Sequence, residues 1–182
     1  GLRPLKITKV RAITTSPMSA RLVIIKVETD EPGLYGLGCG TYNQRPLTVV
    51  TAVNEYLDGF ARGRLVDDIE DMWQNAYTSS YWRNGPVLNN ALSGLDMALW
   101  DIKGKLLGVP IYELLGGPTR HRVRVYAHVG NRPDTLVEQR DAGFTAFKTG
   151  VRNGTRSGIV ASPRFIDEAV EAFARLREAG GD

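Results

Sequence analysis

The sequence has almost no sulfur chemistry and almost no histidine. Its 182 residues include one cysteine, Cys39, and two histidines, His121 and His128. A single thiol excludes an internal disulfide framework and any zinc site built on several thiolates. Long apolar runs are missing too, since none approaches the roughly 18 residues a membrane helix needs. No positively charged, then apolar leader opens the chain. Together these absences predict a protein that works in a reducing cytoplasm, without a membrane partner. Gly1 stands where a start methionine would, so a processed, tagged or excised piece is expected.

What is present is ordinary for a globular chain. Hydrophobic residues make up 42% and charged residues 24%, which excludes a disordered or fibrous protein. Lys and Arg number 23 against 20 for Asp and Glu, giving +3 and a pI near 9.1. A basic pI invites a nucleic-acid reading, but phosphate binding needs clustered cations. The densest group, Arg120, His121, Arg122 and Arg124, would split between two faces of a strand. A solvated surface is expected, and no nucleic-acid partner.

Three strands are predicted at the start: Leu5 to Ile13, Arg21 to Thr29 and Leu34 to Cys39. Asp30-Glu31-Pro32-Gly33 supplies the turn between the last two. Gly36 and Gly38 inside the third strand predict a bend or a close backbone approach. Helices follow. Val50, Val53, Leu57 and Phe60 recur at helical spacing and end near Gly63. Asp67 and Glu70 have capping-box spacing ahead of Ile69, Met72, Trp73 and Ala76. The strongest helix begins near Pro86, runs through Leu88, Leu92, Leu95, Leu99, Ile102 and Leu106, and stops at Gly108 and Pro110. Trp73, Trp100 and Cys39 are expected to be buried, and Trp82 to line an interface, either between subunits or between lid and barrel.

After Pro118 the pattern becomes β-α-β-α: strands at 123–129 and 144–149, helices at 134–142 and from Ser162-Pro163 onward. Phe165, Ile166, Ala169, Phe173 and Leu176 are expected on the inner face of the last helix. That order implies parallel strands with a right-handed crossover. Two such strands cannot close a barrel, so the second region looks unfinished and its edge needs covering. Domains are expected at 1–118 and 119–182.

The stretch from Tyr81-Trp-Arg-Asn-Gly-Pro86 to Ala98-Leu-Trp-Asp-Ile-Lys-Gly-Lys105, continued to Gly116-Gly117, resembles the capping domain of the enolase superfamily. The likeness is to its mandelate racemase / muconate lactonizing enzyme branch, and within it to acid-sugar dehydratases. Gly38 to Gly117, with Thr41-Tyr-Asn-Gln-Arg-Pro46, is nearer the mannonate dehydratases. Gly143-Phe-Thr-Ala-Phe-Lys148 and the last helix are nearer the galactonate dehydratases. The resemblance implies an α+β capping domain, an antiparallel meander plus helices, followed by the first β/α units of an incomplete (β/α)8 TIM barrel. It implies Mg²⁺ held by carboxylates on later strands, beyond the end of this chain. It also implies proton abstraction α to a carboxylate, an enediolate, and loss of the β-hydroxyl. The expected partner is a small sugar acid, and self-association into a homo-oligomer is expected.

Four residues are candidates for substrate contact. His128, in Tyr126-Ala-His128, falls at the end of the first barrel strand, where chemistry sits in such barrels. The relatives place a substrate-contacting His there; a histidine satisfied by a backbone carbonyl is the alternative. Asn43 sits in a loop that, in the relatives, drops an Asn toward the substrate, and its amide suits a polyol. Arg45 is near enough to be considered for a carboxylate. Lys148 ends the second strand, but Gly150 stands where the racemase branch has the second Lys of Lys-x-Lys. No Tyr follows Tyr126, so the mannonate dehydratase base, in a loop expected at Val151–Ala161, is missing too. No catalytic base or metal ligand is assigned within the chain, and the 182 residues alone are expected to be inactive. A racemase or cycloisomerase, or a non-catalytic sugar-acid binding module, are the rival readings.

Overall fold

The computed structural model describes residues 3–150 and 163–181. The expected loop 151–161 and Ser162 lie outside the described residues. The chain divides into two compact units, Gly1–Thr119 and Arg120–Asp182.

The first unit begins with an antiparallel sheet of β1 (Ile7–Thr15), β2 (Leu22–Thr29) and β3 (Tyr35–Cys39), in that order. Strand β2 is central, and its period-2 alternation decides its facing. Val23, Ile25 and Val27 are wholly buried, while Ile24, Lys26 and Glu28 are half-buried on the other face. Fully burying each apolar side chain stabilises by about 1.5–3 kcal/mol.

A helical run follows as α1 (Pro46–Thr51), a π-helical turn (Ala52–Leu57) and α2 (Asp58–Ala61). Next come α3 (Ile69–Thr78), the long α4 (Pro86–Leu107) and α5 (Ile111–Leu114). Pro46 and Pro86 occupy first-turn positions, where a missing N–H costs nothing. Gly108, in the left-handed region at φ 67°, ends α4.

Strand β3 lies directly on α4, and its glycines are the reason. A Cβ at Gly36 would overlap the Ala98 carbonyl oxygen, and one at Gly38 would overlap that of Gly94. Positions two apart on a strand thus meet positions four apart on a helix. The core over this contact includes Ile25, Val49, Val53, Met72, Leu95, Leu99 and Ile102.

Both sheet edges are capped by helix side chains. On β1, the Val10 N–H donates to Asp58 Oδ1 at 2.7 Å and the Ala12 N–H to Asn54 Oδ1 at 2.9 Å. On β3, the Leu37 N–H donates to Asp101 Oδ2 at 2.8 Å. Edge N–H groups that would otherwise invite a foreign strand are satisfied.

Three local expectations need correction. The Asp67/Glu70 capping box does not form: Asp68 is the N-cap of α3, without a side-chain cap, and Asp67 pairs with Lys103 at 2.5 Å. Cys39 is exposed, because it falls on the outer face of β3 and the buried positions there are Gly36 and Gly38. Trp73 is half-buried and stacks on Tyr77 with centroids 5.2 Å apart, rather than entering the core.

The second unit is β4 (Ala127–His128), α6 (Pro133–Asp141), β5 (Phe147–Lys148) and α7 (Phe165–Gly180). Strands β4 and β5 pair in parallel, as the β-α-β order requires. They are much shorter than expected. The segment 120–126 is exposed, and Arg124 reaches across by side chain instead, donating to Thr145 Oγ1 and its carbonyl. On α7 the inner positions are Phe165, Ala169, Ala172 and Leu176, whereas Ile166 and Phe173 are exposed. The i, i+4, i+7 stripe runs through the small residues, one helical step from the bulkier set.

Candidate functional site

Parallel pairing fixes which side chains share a face at the strand ends. Ala127 pairs with Phe147, and His128 with Lys148. Ala127, Val129 and Phe147 turn toward α6 and α7, where Leu136 and Leu176 complete a small core. His128 and Lys148 are exposed on the opposite face. Tyr126, two residues before His128 in the chain, joins that face, with Lys148 Nζ 5.9 Å from its ring centroid.

The turn after each strand is tied to the other. The Val129 N–H donates to the Lys148 carbonyl at 3.0 Å, and the Thr149 hydroxyl donates to the Gly130 carbonyl. These bonds hold the two strand ends in register, so His128 and Lys148 present an imidazole and an ammonium side by side. Such a pair can donate to, or share, the oxygens of a carboxylate or polyol. Neither Tyr126 nor Thr149 was marked by sequence; the available signal was the two-residue alternation back from His128 and forward from Phe147.

Asn43 and Arg45 belong to the first unit, in the loop between β3 and α1. The loop's frame is fixed. The Gly40 N–H donates to the Val23 carbonyl at 2.9 Å, the Val23 N–H to Thr41 Oγ1 at 3.0 Å, and the Arg45 N–H to the Tyr42 carbonyl at 3.0 Å. Thr48 closes it by donating its hydroxyl to the Arg45 carbonyl at 2.6 Å. Asn43 is exposed, and its amide makes no hydrogen bond among the described residues. The Arg45 guanidinium donates to the Gln44 carbonyl at 2.7 Å, which turns it back on its own loop.

Among the described residues no group of three or more His, Cys, Asp or Glu side chains is placed to hold a metal ion. The local acidic cluster is otherwise engaged: Asp67 pairs with Lys103, and Asp71 lies 3.6 Å from the Arg64 guanidinium. No described helix is long and apolar enough to cross a membrane.

Residues 2–116 match the family model for the mandelate racemase / muconate lactonizing enzyme N-terminal domain. The chain belongs to that family. A D-galactonate dehydratase family member from Musicola paradisiaca is 55% identical over 134 residues, covering 74% of this chain and 32% of that protein. One from Catenulispora acidiphila is 44% identical over 202 residues, covering 98% of this chain and 47% of its own length. Among solved structures, an enolase from Pantoea ananatis with bound D-gluconate and Mg superposes with a TM-score of 0.80 at 39% identity. That match covers 97% of this chain and 51% of that one. An enolase superfamily member from Salmonella Typhimurium gives 0.84 at 26% identity, covering 98% and 53%. The chain therefore spans about half the length of these relatives, or less. Its antiparallel sheet with helices is the capping domain of the mandelate racemase / muconate lactonizing enzyme family, and two β/α units follow it.

Proposed function

We propose that this chain is the N-terminal part of a Mg²⁺-dependent acid-sugar dehydratase, with residues 1–118 as its capping domain and 119–182 as the first two β/α units of the barrel. Asn43 and His128 hold the hydroxyl or carboxylate groups of the substrate. Lys148 orients its anionic end, and Arg45 is a further carboxylate contact. The observation carrying this reading is the register of His128 and Lys148 at adjoining parallel strand ends, on the face turned away from the helices. The naming of the relatives as D-galactonate dehydratase family members, and the D-gluconate and Mg in one neighbour, support the substrate class.

The described residues do not fit a Mg²⁺ site, which needs several oxygen ligands in near-octahedral array. The carboxylates would come from sequence outside this chain, together with the base that removes the α-proton. What these residues supply is orientation: donors fixed on strand ends grip a substrate before the proton moves. The lack of Lys-x-Lys, with Gly150 at its second position, disfavours the racemase reading.

The test uses the complete protein. Replacing His128 by Asn is expected to lower kcat/KM for sugar-acid dehydration roughly 100-fold, the scale of a misplaced substrate. Arg122→Ala should change it less than about twofold, as expected for an exposed surface position. Equal losses would remove His128 from the site. The 182-residue chain itself is expected to show no Mg²⁺-dependent dehydration of mannonate, gluconate or galactonate, and measurable turnover would overturn the placement of the metal ligands.

A further inference from the structure

The sheet of the first unit ends on a side chain, and that side chain stands two residues before Asn43. In the β2–β3 register Ile24 faces Cys39 and Ile25 faces Gly38, so Val23 and Gly40 are the next pair. A closely bonded antiparallel pair exchanges two hydrogen bonds. Backbone supplies one of them, the Gly40 N–H donating to the Val23 carbonyl at 2.9 Å. A side chain supplies the other, because the Val23 N–H donates to Thr41 Oγ1 at 3.0 Å. The Cys39 thiol donates to the same oxygen at 3.2 Å. The Thr41 hydroxyl thus stands in for the Gly40 carbonyl, and the chain leaves the sheet at that point.

The root of the loop is fixed from a second side. Gly40 lies on α4 where Gly94 leaves room for it. A Cβ on Gly94 would come within 3.1 Å of the Gly40 nitrogen, and one on Gly40 within 2.9 Å of Ile25 Cδ1 and 3.2 Å of the Asn90 carbonyl oxygen. A side chain at either position would push strand and helix apart. Beyond Thr41, Tyr42 packs against the core, and the Arg45 N–H closes a turn on the Tyr42 carbonyl at 3.0 Å. Asn43 and Gln44 are the two central residues of that turn. The direction of the turn is therefore set where the chain leaves the sheet.

Val23 is wholly buried, so its N–H needs a partner inside the fold. A valine at 41 would keep the shape of threonine and remove the oxygen. The Val23 N–H would then have one acceptor close by, the Gly40 carbonyl. Taking it would extend the ladder by one bond, rotate the peptide after Gly40 and re-aim the turn.

We propose that Thr41 is a positioning residue of the candidate site: its hydroxyl, as acceptor for the Val23 N–H, ends the sheet early and fixes the direction of the Asn43 amide. The consequence for activity rests on the proposed substrate contact of Asn43, and two sets of measurements keep the two ideas apart. In the complete protein, Thr41→Val should lower kcat/KM for sugar-acid dehydration about tenfold, the scale of one lost hydrogen bond, through KM rather than kcat. Thr41→Ser, which keeps the oxygen, should stay within about twofold of wild type. In an Asn43→Ala background, Thr41→Val should cost no more than about a further twofold, since its effect passes through Asn43. A Thr41→Val variant that melts lower but keeps the wild-type KM overturns the proposal, and so do losses that multiply in the double variant.

In the 182-residue chain, NMR reads the geometry without reference to activity. The wild-type Val23 amide should exchange as slowly as those of Ile25 and Val27. Thr41→Val should shift the backbone and side-chain amide resonances of Asn43, and Thr41→Ser should leave them in place. A wild-type Val23 amide that exchanges as fast as that of Gln44 overturns the proposal, even if Thr41→Val fails to fold. Should Asn43→Ala leave KM unchanged while these NMR results hold, the substrate contact of Asn43 falls, and Thr41 stands as the residue that aims its turn.

Discussion

The two units of this chain follow the same folding rules with very different amounts of material. Among the described residues, the capping unit gathers eighteen buried residues into one core and the β/α unit gathers four. In the first, a three-stranded sheet is covered by helices and its edges are capped by Asn54, Asp58 and Asp101. In the second, two-residue strands carry an exposed histidine and lysine, and α7 leaves Ile166, Val170 and Phe173 in water. A sheet face needs a second layer to bury it. The capping unit supplies its own. Among the described residues the β/α unit supplies helices for one face only, and His128 and Lys148 stand on the other.

The largest expected effect follows from separating them. Residues 1–119 expressed alone should melt cooperatively and retain slow-exchanging amides in β2 and α4. Residues 120–182 alone should give no cooperative thermal transition by circular dichroism. A cooperative melt of the second piece would show that four buried residues suffice, and the contrast between the units would be gone.

Within the intact chain, the same contrast can be measured side chain by side chain. Leu99 sits in the capping core at 1% exposure, enclosed by sheet and helices. Leu99→Ala should cost about 3–4 kcal/mol by urea unfolding, as transfer and cavity losses combine. Leu176, equally aliphatic, borders the open hollow lined by Phe144, Phe147 and Phe173. Its truncation should cost about half as much, since little new cavity is made where solvent already reaches. Equal costs would mean that the second core is as tightly packed as the first.

How much of this was legible in the sequence depends on the range of the interactions involved. The alternation in β2, the proline starts and the Gly108 stop of α4 are local signals, and the elements form where those signals put them. Gly36 and Gly38 announced a close backbone approach, although only the fold names Ala98 and Gly94 as the neighbours. The π-helical turn at Ala52–Leu57 was not legible, because apolar spacing reads the same through one widened turn. The Asp67/Glu70 spacing misled because Lys103, thirty-six residues later, competes for Asp67 and wins it. The strands of the second unit are shorter than the sequence predicts: Val123 and Val125 have strand-forming side chains but, among the described residues, no partner strand to bond. Of the candidate site, His128 and Lys148 were marked and do share a face. Tyr126 and Thr149 were missed, because their roles depend on a register that only pairing creates.

The carboxylate that caps β1 gives a smaller, pH-dependent effect. Burial by itself would raise the Asp58 pKa, but the Val10 N–H bond and the Arg62 guanidinium outweigh it and hold the group below its ordinary 3.8. A depressed carboxylate contributes stability above its unfolded pKa and loses it as pH falls through the folded one. Asp58→Ala should therefore cost about 2 kcal/mol at pH 7, the scale of a hydrogen bond to a charged group. The gap to wild type should shrink progressively below pH 3.8. A gap that stays constant down to pH 2 would show that Asp58 acts through shape, not charge.

Asp96 offers the converse and the smallest effect. It stands on the outer face of α4 beside Trp100, across a groove from Glu70, Trp73 and Gln74 of α3. Burial, with a lesser push from the Glu70 charge, raises its pKa above 3.8. Among the described residues no cation pairs with it. A raised carboxylate favours the fold only while protonated: its contribution is complete below 3.8 and is lost as pH rises through the folded value. At pH 7 the ionised group therefore opposes folding slightly, by a few tenths of a kcal/mol once solvent screening is allowed for. Asp96→Asn should stabilise the chain by that amount at neutral pH and by nothing near pH 3. It thus runs opposite to Asp58→Ala in both sign and pH trend. Paired urea titrations of the two variants at pH 3, 5 and 7 measure the difference. If Asp96→Asn destabilises at pH 7, the carboxylate has a cationic partner in solution, and the groove between α3 and α4 is occupied.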